Sequence, residues 1–117
     1  MDSLHFYEKE IRPWGDFERF TLNEKTTVKI ITVLPNESLS LQKHTHRKEF
    51  WKIISGSGFV TIDEEEKEAK TGDTFFIETE SKHRVRAGGE GLSFLEIAFG
   101  DFDESDIERL EDKYGRV

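Results

Sequence analysis

Apolar residues recur along most of the chain in short runs that turn residues separate. The turns include Pro35-Asn36, Gly56-Ser57-Gly58 and Gly88-Gly89-Glu90-Gly91. The runs between the turns occupy residues 16–20, 26–34, 38–46, 50–55, 59–62, 75–77, 82–87 and 92–99. Many short strands at this spacing are typical of a β-sandwich or a small barrel. The pattern therefore predicts a single all-β domain.

The end of the chain has a different pattern. Asp103 is a candidate N-cap, acidic residues follow it, and Ile107 and Leu110 have helical spacing. We expect a short C-terminal helix at this point. The domain then consists of an N-terminal arm (1–15), a barrel (16–100) and a C-terminal helix and tail (101–117).

Composition and charge exclude several classes of protein. The 117 residues include 25 acidic and 17 basic ones, for a net charge of −8, which disfavours a general nucleic-acid binder. No apolar run approaches the roughly 20 residues of a membrane-spanning helix, and the first residues lack the basic and apolar regions of a secretion signal. Cysteine is absent, which excludes disulfides and thiolate metal ligands. We expect a cytoplasmic protein that binds neither nucleic acid nor membrane.

The segment from Gln42 to Glu49 carries the candidate chemistry. Residues two apart on a strand share a face, so Gln42, His44 and His46 project together. Two imidazoles in this arrangement can bind one divalent ion, with a nearby carboxylate completing the ligand set. Glu49 joins them only if a turn or bulge follows His46. His83, in a later strand, can supply a third imidazole.

The alternative is a pair of surface histidines on a polar edge strand, with His83 unrelated to them. Apolar residues flank the segment on both sides: Leu39, Leu41, Phe50, Trp51 and Ile53. The flanking pattern indicates core strands, and polar side chains that face inward from such strands need partners. A metal ion would supply one partner to several of these side chains at once, so a metal site is the favoured interpretation.

These residues resemble the two motifs of the cupin superfamily. The pattern His44-x-His46-x-x-Glu49 is similar to the first motif, and Gly72 followed by His83 is similar to the second. The resemblance implies a jelly-roll barrel, also called a double-stranded β-helix. It also implies one divalent metal ion held by His44, His46, Glu49 and His83.

A narrower resemblance, to the type II mannose-6-phosphate isomerase domain, accounts for the short gap before Glu49 and covers residues 11 to 117. The matching blocks are Arg12-Pro13-Trp14-Gly15, Ser38-Leu39-Ser40-Leu41-Gln42-x-His44-x-His46-Arg47-x-Glu49-x-Trp51, Gly100-Asp101-Phe102 and Tyr114-Gly115-Arg116-Val117. One departure from the cupin pattern is that Glu78 and Glu80 replace the usual Pro and Gly of the second motif. The type II mannose-6-phosphate isomerase domain usually forms the C-terminal part of bifunctional enzymes that also contain a mannose-1-phosphate guanylyltransferase. We expect no guanylyl transfer from this chain.

The resemblance implies a metal-dependent isomerase that interconverts mannose 6-phosphate and fructose 6-phosphate through an enediolate. Arg47 is the family residue tied to isomerase activity and is the expected catalytic and phosphate-binding residue. Gln42 and Lys43 are further candidates for substrate binding. Glu49 serves either as a metal ligand or as the general base, and in the second case Gln42 replaces it on the metal. Zn²⁺ suits these ligands, while Mn²⁺, Fe²⁺, Co²⁺ and Ni²⁺ also fit.

Two other functions remain open. One is a non-catalytic cupin that binds a sugar or a metal, and the other is a different metal-dependent cupin enzyme such as an Fe²⁺ dioxygenase. Cationic side chains near the metal favour the isomerase, an apolar pocket favours the oxygenase, and an interior filled by Phe or Trp favours the binding module. We also expect a homodimer, since cupins commonly pair through sheet edges and residues 4–11 can supply such a strand.

Overall fold

The computed structural model describes residues 4–112 and Gly115, and every regular element among them is a strand. These strands are β1 (Glu8–Arg12), β2 (Gly15–Arg19), β3 (Thr26–Val33), β4 (Leu41–Lys43), β5 (Glu49–Ile62), β6 (Glu65–Lys70), β7 (Thr74–Ile77), β8 (His83–Phe99) and β9 (Glu108–Glu111). Their pairings are antiparallel throughout. The predicted all-β class is confirmed.

One large sheet contains β3 to β9, and β1 and β2 form a separate hairpin that includes residues 16–19. The first half of β5 pairs with β7 and with the second half of β8, which also pairs with β3. The second half of β5 pairs with β6 and with the first half of β8, which also pairs with β4. β4 pairs in turn with β9. The two long strands therefore run through both halves of a folded-over sheet.

The core lies between the two halves of this sheet. Trp51 and Phe94 come from one half and pack in the same cluster as Val60 from the other. β5 bends between the halves, where register shifts interrupt its pairing with β8. Gly56 has a φ of +80° at the bend, and a Cβ added there would lie 2.1 Å from the carbonyl oxygen of Gly91. Only glycine allows the two strands to approach this closely.

The predicted C-terminal helix is not formed in the described residues, and that prediction is wrong. Asp103 accepts hydrogen bonds from the backbone and the hydroxyl of Ser105, as an N-cap does, but the chain turns and continues as β9 along β4. Strand pairing supplies backbone partners that stabilise this segment, whereas a short helix is marginal by itself. Residues 113, 114, 116 and 117 of the predicted tail lie outside the described residues. The part of the chain that the structure describes contains no helix able to cross a membrane.

Candidate metal centre

Three buried side chains converge at one end of the folded sheet. His44 lies just after β4, Glu49 is the first residue of β5 and His83 is the first residue of β8. One potential ligand atom from each lies within 4.8 Å of the others. The chain places two imidazoles and one carboxylate around a single point, as the resemblance implies for these three residues.

Backbone hydrogen bonds fix the tautomers of both imidazoles. Nδ1 of His83 is 2.9 Å from the carbonyl oxygen of Ser81, and Nδ1 of His44 contacts the carbonyl oxygen of Asp106. Since only a nitrogen that carries a hydrogen can donate to a carbonyl, the hydrogen of each neutral ring is assigned to Nδ1. Burial lowers the pKa of His44 and lowers that of His83 to about 4. Both rings are therefore neutral at pH 7, and Nε2 of each ring carries a lone pair instead of a hydrogen.

Glu49 presents one oxygen that has no hydrogen bond. Its Oε1 accepts from Nε1 of Trp51 at 3.0 Å, whereas Oε2 is buried without a hydrogen-bond partner. Oε2 lies 3.5 Å from Nε2 of His44. Burial raises the pKa of this carboxyl group, because the ionised form loses its hydration. Two imidazole lone pairs beside an unsatisfied carboxylate oxygen form a donor set that fits a divalent cation.

Arg47 lies against these potential ligands. Its Nη2 donates to Nε2 of His44 at 2.9 Å, and its Nε is 2.8 Å from Oε2 of Glu49 without directing its hydrogen at that oxygen. The guanidinium also packs over the ring of Phe102, 4.6 Å from the ring centroid. A cation that uses Nε2 of His44 requires this guanidinium to move away from that nitrogen. The predicted phosphate-binding residue thus lies at the metal end of the site.

His46 is exposed and does not join the buried group. The expected shared face depends on strand geometry, but β4 ends at Lys43 and the chain then turns. The carboxylate of Asp106 accepts the backbone N–H of Thr45 at 2.8 Å and that of His46 at 2.9 Å. These bonds hold the turn that places Glu49, but not His46, beside His44.

A cavity of about 200 Å³ adjoins the three-residue group and includes His83 in its wall. The charged residues of its lining are Lys29, Arg47, Arg84, Arg109, Glu96 and Glu104. Gln42, a predicted substrate-binding residue, also lines this cavity and bonds the hydroxyl of Ser40 at 3.1 Å. Lys43 is not part of the lining, and its ammonium lies 3.5 Å from a carboxylate oxygen of Glu80. The structure therefore brings Gln42 to the cavity but not Lys43.

Glu96 is a buried carboxyl group that the sequence analysis missed. It lies on β8 opposite Trp51 of β5 and Lys29 of β3, and it lines the cavity. Burial, and after it the negative charge of Glu49, raise the pKa of Glu96 to about 7. A sequence signal was present, because Glu96 is the one charged residue in the otherwise apolar segment 94–99.

Comparison with known sequences gives a match over nearly the whole chain. Residues 1–112 match the family described as mannose-6-phosphate isomerase C-terminal. The chain is 36% identical over 115 residues to the mannose-1-phosphate guanylyltransferase ManC of Salmonella typhimurium, which covers 97% of this chain and 24% of that protein. It is 42% identical over 108 residues to the alginate biosynthesis protein AlgA of Pseudomonas putida, which covers 91% of this chain and 22% of that protein. The chain spans about a quarter of the length of these relatives.

Comparison with solved structures identifies the fold. The chain superposes on a cupin protein from Bacteroides fragilis with a TM-score of 0.60 and 28% sequence identity, over 70% of this chain and 72% of the other. The predicted cupin barrel is confirmed. Because one fold can carry many activities, the chemistry of the site depends on its own residues.

Proposed function

The chain belongs to the mannose-6-phosphate isomerase C-terminal family, and we propose that it interconverts mannose 6-phosphate and fructose 6-phosphate with one bound divalent cation. The observation that carries the proposal is the group of His44, Glu49 and His83 beside a cavity with a charged wall. A sugar phosphate requires both features, because its reacting end carries neighbouring oxygens and its other end carries a phosphate.

The residues that would hold the cation are His44, Glu49 and His83. When bound, it would polarise the carbonyl oxygen and the neighbouring hydroxyl oxygen of the sugar and so stabilise the negative charge that develops on them. Zn²⁺ suits two imidazoles and one carboxylate, and Mn²⁺, Fe²⁺, Co²⁺ or Ni²⁺ would also be accepted by them. The remaining chemistry falls to side chains of the cavity.

Isomerisation moves a proton between C2 and C1, so a base must lie beside both carbons. In our proposal Glu49 is a ligand, since its Oε2 is free of hydrogen bonds. Glu96 then takes the proton from one carbon and returns it to the other, while the hydroxyl proton passes between the two neighbouring oxygens. Glu96 is suited to this role because it lines the cavity next to Glu49 and is outside the three-residue group. Arg47, displaced from His44, has its guanidinium available to donate hydrogen bonds to the sugar oxygens at this end.

The lining of the cavity favours a phosphorylated substrate over the alternatives. Cations outnumber carboxylates in it, since Lys29, Arg47, Arg84 and Arg109 line the cavity together with Glu96 and Glu104. A charged wall is unsuited to the apolar substrates of an oxygenase. The binding module is also disfavoured, because its interior would be filled by aromatic side chains, whereas this chain has a cavity of about 200 Å³. Guanidinium groups match phosphate oxygens in charge and geometry.

The direct test is formation of fructose 6-phosphate from mannose 6-phosphate in a coupled assay, with the metal content of the same sample determined. We expect turnover that disappears with a chelator and returns when a divalent ion is added. Bound metal without turnover of mannose 6-phosphate would overturn the isomerase proposal and favour another cupin activity. Absence of both metal and turnover would favour a binding module.

A further inference from the structure

Three residues from neighbouring strands form a row across the cavity wall. Gln42 on β4 is the register partner of His83 on β8 and of Arg109 on β9. Directly opposed residues on adjacent antiparallel strands project from the same face of the sheet. Since His83 points into the site, Gln42 and Arg109 project into it as well, and all three line the cavity. Arg109 lies two strands from His83, a separation of about 10 Å.

The other cations of the wall already have carboxylate partners. Lys29 pairs with Glu104 at 3.2 Å. Arg84 pairs with Glu111 at 2.9 Å. Arg47 lies at the metal end, 2.8 Å from Glu49. Most of the positive charge of the lining is therefore offset by nearby carboxylates before any ligand binds.

Arg109 differs from these cations. Nε is buried without an acceptor in Arg47, Arg84 and Arg109 alike. Within residues 4–112, however, Arg109 is the cation of this wall that has no ion pair or hydrogen bond through its side chain. A desolvated donor without a partner costs free energy that an anionic ligand would recover. A guanidinium can present two parallel N–H groups to phosphate oxygens. The position of Arg109 and its missing ion pair both indicate an anion at this end of the cavity.

We propose that Arg109 binds the phosphate group of the sugar phosphate, at the end of the cavity away from His44, Glu49 and His83. The assignment rests on the proposed function and gives the substrate a direction, with the reacting carbons at the metal end and the phosphate at β9. It also separates two roles that the sequence analysis gave to Arg47 alone. Arg47 serves the reacting end, and Arg109 serves the phosphate.

The test is Arg109→Met in the full metal-loaded chain, because methionine keeps an unbranched apolar stem and removes the charge. We expect the KM for mannose 6-phosphate to rise about 10- to 100-fold, the range for losing a charged hydrogen-bonding pair. The kcat should change much less, since the contact is made equally in the ground and transition states. Inhibition by inorganic phosphate should weaken by a similar factor, and metal content should remain that of the wild type.

Arg86→Met is the matched control, because Arg86 is exposed on β8, pairs with Glu66 and is outside the cavity lining. It should leave the KM and the phosphate inhibition unchanged. Arg109→Lys should restore part of the affinity by returning the charge without the fork. If Arg109→Met loses its cooperative thermal transition, Arg109→Gln replaces it in the same measurements.

The outcomes separate this assignment from the proposed function. Turnover by the wild type with an unchanged KM in Arg109→Met would overturn the role of Arg109 and leave the isomerase proposal intact. Binding of mannose 6-phosphate measured by calorimetry, dependent on Arg109 but without turnover, would support Arg109 and overturn the isomerase proposal. A wild type that binds neither mannose 6-phosphate nor inorganic phosphate would overturn both.

Discussion

His44 and His46 are separated by one residue but lie in opposite environments. His44 is buried, donates from Nδ1 to the carbonyl of Asp106 and directs Nε2 toward Glu49. His46 is exposed, and its described polar contact is made by its backbone N–H. Desolvation lowers the pKa of His44, which keeps the ring neutral and able to bind a metal ion. We therefore expect the two histidines to contribute differently to metal binding.

Separate substitution of the two histidines tests this difference. We expect His44→Ala to weaken metal binding more than about 100-fold, beyond the usual effect of losing an outer hydrogen-bonding partner. His46→Ala should keep the metal affinity of the wild type. Calorimetric titration of the chelator-treated variants with Zn²⁺ measures both effects. Equal losses in the two variants would mean that His46 moves in as a fourth ligand when the metal binds.

At the scale of elements, the tail acts as part of the site. The turn before β9 supplies Asp106, whose carboxylate binds the backbone of Thr45 and His46 and whose carbonyl accepts from His44. β9 then pairs with β4 and brings Arg109 beside Gln42. One short segment thereby holds an imidazole of the proposed metal site and contributes a cation to the cavity wall.

Asp106→Ala removes the side-chain part of this connection. We expect the free energy of unfolding to fall by about 1.5–3 kcal/mol, the range for hydrogen bonds to a charged group. Metal affinity should fall as well, because the turn that places His44 loses two of its bonds. Asp103→Ala is the control, since Asp103 bonds only Ser105 within its own turn among the described contacts. Reduced stability with unchanged metal affinity would show that the tail supports the fold without positioning His44.

At the scale of the whole molecule, a buried histidine and a buried carboxyl group make the stability of the fold change with pH in opposite directions. The pKa of His83 falls from 6.5 to about 4 on burial. The unfolded chain therefore takes up this proton first, and the contribution to stability is present above pH 6.5 and is lost as the pH falls toward 4. The pKa of Glu96 rises from 4.5 to about 7, through burial and then the charge of Glu49. Its contribution is present below pH 4.5 and is lost as the pH rises through 7.

Glu96→Gln removes the contribution of Glu96 to the pH dependence of stability and leaves that of His83. Relative to the wild type, we expect the variant to gain roughly 1–3 kcal/mol of stability between about pH 5 and about pH 8, since one pKa unit corresponds to about 1.4 kcal/mol. Urea unfolding of chelator-treated protein across this range measures the gain. Glu68→Gln, at an exposed position of β6, is the control and should show a constant difference. If the difference in free energy of unfolding between Glu96→Gln and the wild type did not change with pH, Glu96 would not be desolvated in the folded chain.

The local pattern of residues was sufficient to predict the fold class. Apolar runs with turns between them indicated strands. The predicted turns at Gly56-Ser57-Gly58 and Gly88-Gly89-Glu90-Gly91 are wrong, because these residues lie inside the long strands β5 and β8. The helix predicted after Asp103 failed because the same residues gain more from pairing with β4. Local propensity is a weak effect that pairing over a long sequence distance can override.

The sequence by itself determined the candidate ligand types, since His44, Glu49 and His83 stand in a recognisable pattern and the structure brings these three together. Only the tertiary structure excluded His46 from the buried group and added Glu96 and Arg109 to the cavity wall. The first of these outcomes depends on where β4 ends, and the others depend on the register of β8 and β9. Register and strand ends are set by packing and hydrogen bonds between distant segments, so the spacing of residues along the chain does not contain them.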